Sequence, residues 1–436
     1  MKIEFFGGAG EVGRSCVMIE SNDTRIILDC GVKLGKREEY PIIDDSRFSN
    51  VDAIVVSHAH LDHCGYLPHV FSTGWRGFVY TTKPTFELTN VLISDYLKIS
   101  NPANVTKEGI NAMGRHFKIQ EYHKEFKIKG LTVKLLPAGH ILGSAMIEVS
   151  DGTHKLIYTG DLNLRTTRLL DGAYTEYLNA DTLITESTYG GDDDVHQAER
   201  VTAEQILNSI KDTIKQGGKV IIPSFAVGRA QEVLFILDDY MKSGLLQNVH
   251  LYIDGMIGKA MRIHRHNVMD CRDELQKRIL MSEDDPFKSK NFIFIKTKQD
   301  RAKAMSTEEA SVIVTTSGML TGGPVVRYLK KLGKDPKNKL ILVGYQAEGT
   351  NGRALLEGEK ELTFDGSKVQ INMTVENYSL SAHADRQQLM KFVSKINGLK
   401  NVFVMHGDPR KSEQLASALK KKYKVYLPKL GEAFEI

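Results

Sequence analysis

Thiols are scarce in this 436-residue chain, whose four cysteines, Cys16, Cys30, Cys64 and Cys271, are widely scattered and form no CxxC pair. That spacing argues against a disulfide framework and against a cysteine-only zinc site, so reduced thiols are expected. Long apolar runs are missing too. No window approaches the roughly 18 uninterrupted apolar residues of a membrane-crossing helix, and the opening MKIEFFGG is too short and too acidic for a signal peptide. The expectation is a cytoplasmic protein with no membrane partner. Internal repeats, low-complexity tracts and Pro/Ser-rich linkers are also lacking. Neither sign of charge dominates: the net charge of +4 permits a polyanionic substrate without demanding one, and basic clusters such as residues 420–422 read as solvated helix faces. Hydrophobic content of 41% and charged content of 26% are ordinary for a globular protein. A chain of this length exceeds one ordinary core, which suggests two domains.

What is present is organised by strands. Residues 1–186 alternate short β runs with glycine turns, as in KIEFFGG, SCVMIE, RIILDCG, DAIVVSH, GFVYTT, TVKLLPAGH, KLIYTGD and TLITES, with one helical stretch over 83–97. From about 190 to 370 the style changes to βα alternation: GGKVIIPS leads into GRAQEVLFILDDYMKSG, HLYIDG into a polar helix, and SVIVTTSG into GGPVVRYLKKLG. Strands alternating with helices imply a parallel sheet. After about 370 the first style returns, with VQINMTVENYS, a helix over 385–396 and NVFVMHGD. An α/β domain interrupted by a second, Rossmann-like parallel α/β domain is expected, with segments 1–188, 189–368 and 369–436.

The stretch GGAGEVGRS, residues 7–15, matches two nucleotide-binding patterns at once. Both require the glycines to follow a strand and open a helix, whose N-terminus holds the phosphates. Here SCVMIE, the polar turn SNDT and RIILDCG follow, which reads as strand, turn, strand. No nucleotide cofactor is expected. The hairpin does end on Asp29, at the carboxyl end of its second strand. The stronger signal is VDAIVVSHAHLDHCG, an apolar strand followed by His58, His60, Asp62 and His63. Imidazoles and a carboxylate this dense suit Zn²⁺, and the lack of thiolates suggests an open catalytic site. Candidate partners end other β runs in the same way: His140 in LTVKLLPAGH, Asp161 in KLIYTGD and His406 in NVFVMHGD. His264 and His266 form another HxH, but within RIHRHNVMDCRDELQKRI, and are expected at the surface.

These residues resemble a known family. HAHLDH, His140, Asp161 and Asp29 are similar to the metallo-β-lactamase superfamily, and ESTYG at Glu186, SLSAHAD at His383 and MHG at His406 resemble its β-CASP branch. The likeness extends through PSFAVGRAQE, SGMLTGGP and VGYQAEGTNGR, and is greatest to archaeal homologues of the endonuclease subunit of the cleavage and polyadenylation specificity factor. The KH modules of some archaeal relatives and the extra C-terminal domain of bacterial RNase J have no counterpart in this sequence. The resemblance implies an αββα metallo-β-lactamase sandwich with an inserted β-CASP domain. It implies two zinc ions per chain, one on His58, His60 and His140, the other on Asp62, His63 and His406, with Asp161 bridging them. Asp29 would orient a ligand, and Glu186 would keep His383 protonated for the leaving oxygen. RNA contacts are expected from Ser224 and Arg229, from Ser317 and Gly318, and from Ser381, the first four at strand-to-helix junctions.

The function implied is a zinc-dependent ribonuclease acting on single-stranded RNA to leave 5′-phosphate and 3′-hydroxyl ends. The lean is toward 5′→3′ exonuclease action, with endonuclease action as the alternative. A homodimer, or association with a related β-CASP protein, is the partner expectation besides RNA. A small-molecule metallohydrolase is disfavoured by Glu186, His383 and the inserted domain, and a non-catalytic RNA-binding subunit by the full ligand set.

Overall fold

In the computed structural model, which describes residues 1–436 except Lys36, Asn101, Glu283 and Asp365, the contacts separate two compact units. The first comprises residues 1–166, 170–195 and 382–436, and the second 167–169 and 196–381.

The first unit is built on two seven-stranded sheets. In one, the strands run Ala433–Glu435, Lys2–Gly7, Cys16–Ser21, Thr24–Leu28, Ala53–Val55, Phe78–Thr81 and Phe117–Ile119. In the other they run Lys424–Tyr426, Asn401–Val404, Thr182–Thr185, Lys155–Tyr158, Ala145–Ser150, Leu131–Pro137 and Glu125–Ile128. Alternation decides which residues meet between the sheets. Ile3, Phe5, Val17, Ile19, Ile26 and Leu28 of the first sheet join Val133, Leu135, Ile147, Val149, Leu156 and Phe403 of the second in one buried cluster. The opposite faces of the same strands are apolar as well. Met18, Ile27, Ile54 and Val79 pack under Leu67, Val70, Phe71 and Ile93 of the helices, while Ile157, Leu183, Val402 and Val404 pack under Leu389, Phe392, Leu415 and Ala416. Sheets buried on both faces need a helix layer outside each. The result is the αββα sandwich.

The second unit carries a six-stranded, all-parallel sheet in the order Phe292–Phe294, His250–Asp254, Ser311–Thr315, Val220–Pro223, Lys339–Leu342, Thr374–Asn377. Its central strands VIIP and SVIVT are buried at every position, as a parallel sheet covered on both sides requires. The helix Glu199–Lys215 buries Ala203, Ile206, Leu207, Ile210 and Thr213, a stripe at three- and four-residue spacing. The strand within VQINMTVENYS adds to the edge of this sheet rather than returning to the first unit, and residues to Ser381 go with it.

One histidine departs from expectation. In the helix Ile257–His266 the buried face is Ile257, Ala260, Met261 and His264. His264 is therefore core and only His266 is exposed, because a helical period places His264 on the apolar stripe of a segment that looks polar when read linearly. Among the described residues, no helix is long and apolar enough to cross a membrane.

Candidate metal centre

Strand ends place the candidate ligands. The strands Thr24–Leu28 and Ala53–Val55 are parallel neighbours, and Asp29 and His58 follow their carboxyl ends. In the other sheet Lys155–Tyr158, Thr182–Thr185 and Asn401–Val404 are three successive parallel neighbours, followed by Asp161, Glu186 and His406. His140 follows Leu131–Pro137, and the short helix Leu61–Cys64 carries Asp62 and His63. All these residues belong to the first unit. Asp29 and His406 both hold left-handed backbone, with φ of 57° and 46°. For residues with a side chain that conformation costs about 1–2 kcal/mol, which the surrounding contacts must offset.

Three groups of donor atoms converge, the third being Asp161 with Glu186 and His383, and the first two hold the residues expected as ligands. His58 Nε2 and His140 Nε2 lie 3.2 and 3.1 Å from His60 Nδ1, and 3.3 and 3.5 Å from Asp161 Oδ2. On the other side, His63 Nε2 and His406 Nε2 lie 3.3 and 3.6 Å from Asp161 Oδ1, and 3.9 and 3.6 Å from Asp62 Oδ2. The ligand atoms within each group are close enough to hold one ion. Asp161 thus presents one carboxylate oxygen to each of the first two groups. His63 Nε2 and Asp161 Oδ1 are buried and face each other without hydrogen-bonding geometry. Polar atoms left in that state are costly, and a cation between them would satisfy both.

Electrostatics fit the same picture. Burial lowers the pKa of His58, lowers that of His60 to about 3, and lowers that of His140 well below the usual imidazole value. Those rings are neutral near pH 7, the form that binds metal. Burial opposes charge on His63, yet Asp161, Asp29 and Asp62 together raise its pKa well above normal. Burial likewise opposes ionisation of Asp161, but His63, His406, His383 and His58 hold its carboxyl well below the usual range. The site carries negative charge that only a proton or a cation can balance. Imidazole and carboxylate donors without thiolate suit zinc.

The outer partners are specific. Asp29 accepts from Ser57 N at 2.7 Å, Ser57 Oγ at 2.7 Å, Tyr158 Oη at 2.8 Å and His63 Nδ1 at 2.6 Å. His140 Nδ1 donates to Ala382 O at 2.9 Å, and His406 Nδ1 lies 2.8 Å from Ser15 Oγ. Motif reading missed Ser15, Ser57 and Tyr158, which are adjacent to informative residues but follow no spacing rule. Beside the donors, Glu186 takes Leu162 N at 2.6 Å and both its oxygens lie within 3.1 Å of His383 Nδ1. The His383 ring sits 4.5 Å from that of His140. Burial works against charge on His383, but Glu186 and then Asp161 raise its pKa to about 9.

The remaining sequence candidates lie in the second unit. Ser224 follows Val220–Pro223, Arg229 opens the helix Arg229–Lys242, and Ser317 and Gly318 follow the adjacent parallel strand Ser311–Thr315. A Cβ on Gly318 would meet Phe225 N at 2.9 Å, so these two loops approach at glycine distance. The Ser317 hydroxyl is engaged by Thr321 N and Gly322 N. Ser381 is the last residue of this unit.

Comparison with known proteins agrees with this geometry. Residues 18–188 match a metallo-beta-lactamase superfamily domain, 230–355 the Beta-Casp domain, and 368–428 a Zn-dependent metallo-hydrolase RNA specificity domain. The chain is 38% identical to the transcription termination factor FttA of Methanocaldococcus jannaschii over 100% of its own length and 72% of that protein. It is also 38% identical to the RNase J-like protein of the same organism, over 100% of this chain and 99% of that one. A crystal structure of a protein of unknown function from Enterococcus faecalis V583 shares the fold, with a TM-score of 0.60 at 14% identity and 99% coverage of both chains. Three domain matches in chain order, and relatives of this identity along the full length, place the chain in the β-CASP family of metallo-hydrolases within the metallo-β-lactamase superfamily.

Proposed function

We propose that the chain is a ribonuclease that holds two zinc ions and hydrolyses RNA phosphodiester bonds to 5′-phosphate and 3′-hydroxyl products. The observation that carries this reading is Asp161, whose two oxygens face two separate donor groups. The match to an RNA specificity domain and the printed name of the RNase J-like relative support RNA as the substrate. His58, His60 and His140 would hold one ion, Asp62, His63 and His406 the other, and Asp161 both. What bound zinc supplies is Lewis acidity toward the phosphoryl oxygens and activation of water near neutral pH.

The chain's own residues do the rest. Asp29 fixes the proton of His63 on Nδ1, which leaves Nε2 for the ion. Glu186 grips His383 Nδ1 and holds the ring protonated. As water attacks phosphorus and the bond from phosphorus to O3′ breaks, His383 delivers its proton to O3′, and the product leaves as a 3′-hydroxyl. Ser224, Arg229, Ser317, Gly318 and Ser381 are proposed to contact the RNA.

Elemental analysis tests the reading independently of turnover. The purified protein is expected to contain close to two zinc ions per chain, and Asp161→Ala to lower that count and abolish cleavage. Full zinc occupancy in Asp161→Ala would refute its bridging role.

A further inference from the structure

The glycine-rich stretch 7–15 is a sequence motif that the proposed function leaves without a role. It forms the turn between the antiparallel strands Lys2–Gly7 and Cys16–Ser21, and no helix follows it. Arg14, at the place of a phosphate-binding lysine, spends its guanidinium on Glu11 and on Tyr40 O. The turn closes instead on the candidate ligands. Gly8 O accepts from His406 N at 2.7 Å, Glu11 O from Gly407 N at 3.2 Å, and Ser15 N donates to Asp62 O at 2.8 Å. Gly8 has φ of 73°, and a Cβ there would meet Met405 Cε at 2.6 Å. The left-handed backbone favours glycine there.

We infer that Ser15 is a positioning residue for His406, and that the turn 7–15 is a clamp on the ligands of the second zinc ion. This rests on reading His406 as a ligand. Ser15 Oγ and His406 Nδ1 are 2.8 Å apart and both residues are buried. A neutral imidazole has one ring proton, and His406 Nε2 is the atom turned toward Asp62 and Asp161. With the Ser15 hydroxyl accepting from Nδ1–H, the lone pair is left on Nε2, the atom that would hold the ion. Separately, the Tyr158 phenol donates to Asp29 Oδ2 at 2.8 Å. That oxygen also receives His63 Nδ1 at 2.6 Å. Each proposed ligand histidine of that ion thus has its own outer partner, Asp29 for His63 and Ser15 for His406.

Zinc titration of the full chain against a competing chelator tests this, together with ¹⁵N spectra of the zinc-loaded protein. Outer partners of this kind typically contribute about 10- to 100-fold in metal affinity. Ser15→Ala is expected to weaken one of the two ions by that factor and to expose the His406 Nδ1 proton to rapid exchange. Ser15→Thr, which keeps the hydroxyl, should restore both readouts to within a few-fold of wild type. If Ser15→Ala binds both ions as wild type does while His406→Ala loses one, the inference falls and the ligand assignment stands. Ser15→Thr as weak as Ser15→Ala would mean that packing, not the hydroxyl, matters, and would also overturn it. Retention of both ions by His406→Ala would remove the ligand assignment itself and the inference with it.

Discussion

His264 shows how much one buried titratable group contributes. Its Nδ1 donates to Ala260 O at 2.7 Å within its own helix, and its ring lies 6.2 Å from that of Phe287. Burial holds its pKa down to about 4, against 6.5 for an ordinary histidine. The unfolded chain therefore takes up a proton that the folded chain refuses. Between about pH 6.5 and pH 4 the unfolded state binds more protons, so stability falls as the pH falls through that window and levels off below it. At about 1.4 kcal/mol per pKa unit the full effect is on the order of 3 kcal/mol. His264→Gln can keep a donor for Ala260 O but does not titrate. Urea unfolding of the two proteins from pH 7 to pH 5 should show the wild type losing about 2 kcal/mol more than the variant. Taking the difference cancels the acid sensitivity of the proposed metal ligands, which both proteins share. Parallel stability curves would show that His264 is not excluded from protonation.

At the scale of elements, the candidate site is made of strand ends, and that is why so much of it is legible in the sequence. Asp161, Glu186 and His406 each follow a short apolar run, and those runs lie side by side in one sheet. A polar residue closing an apolar run is visible without a structure. The hydroxyls of Ser15, Ser57 and Tyr158 are not, because their partners come from strands far away in the chain. The burial of His264 is hidden for a related reason: it depends on which side of a short, largely polar helix meets the core. The edge strand Thr374–Asn377 is similarly ambiguous, since its sequence does not say which of two sheets it completes. Close backbone approaches are equally silent. A Cβ on Gly31 would fall 1.8 Å from Asp62 O, a distance no side-chain adjustment relieves. Gly31→Ala must therefore displace the segment carrying Asp62 and His63. Zinc analysis of this variant is expected to show loss of at least one ion, while calorimetry shows the second unit unfolding as in wild type. Full zinc content would mean that the loop yields without moving its ligands.

For the whole molecule the question is where on an RNA chain the chemistry acts. An enzyme that must capture a 5′ end cannot begin on a covalently closed circle, whereas one that cuts internally can. The sequence-based expectation is 5′→3′ exonuclease action, and the test pairs wild type with His383→Ala on circular RNA and on linear RNA bearing a 5′-monophosphate. Wild type is expected to degrade the linear RNA and to leave the circle intact. His383→Ala removes the proton donor without removing a proposed ligand, so it should keep its zinc and lose roughly 10²- to 10⁴-fold in rate on the linear substrate. The variant also separates chemistry from mode. A slow enzyme that still spares the circle would place His383 in the bond-breaking step alone, downstream of the choice of end. Rapid cutting of the circle by wild type would overturn the exonuclease reading and leave the hydrolytic mechanism in place. Zinc loss in His383→Ala would do the reverse: the imidazole that Glu186 grips would then be holding metal, and the proton for O3′ would have to come from another group.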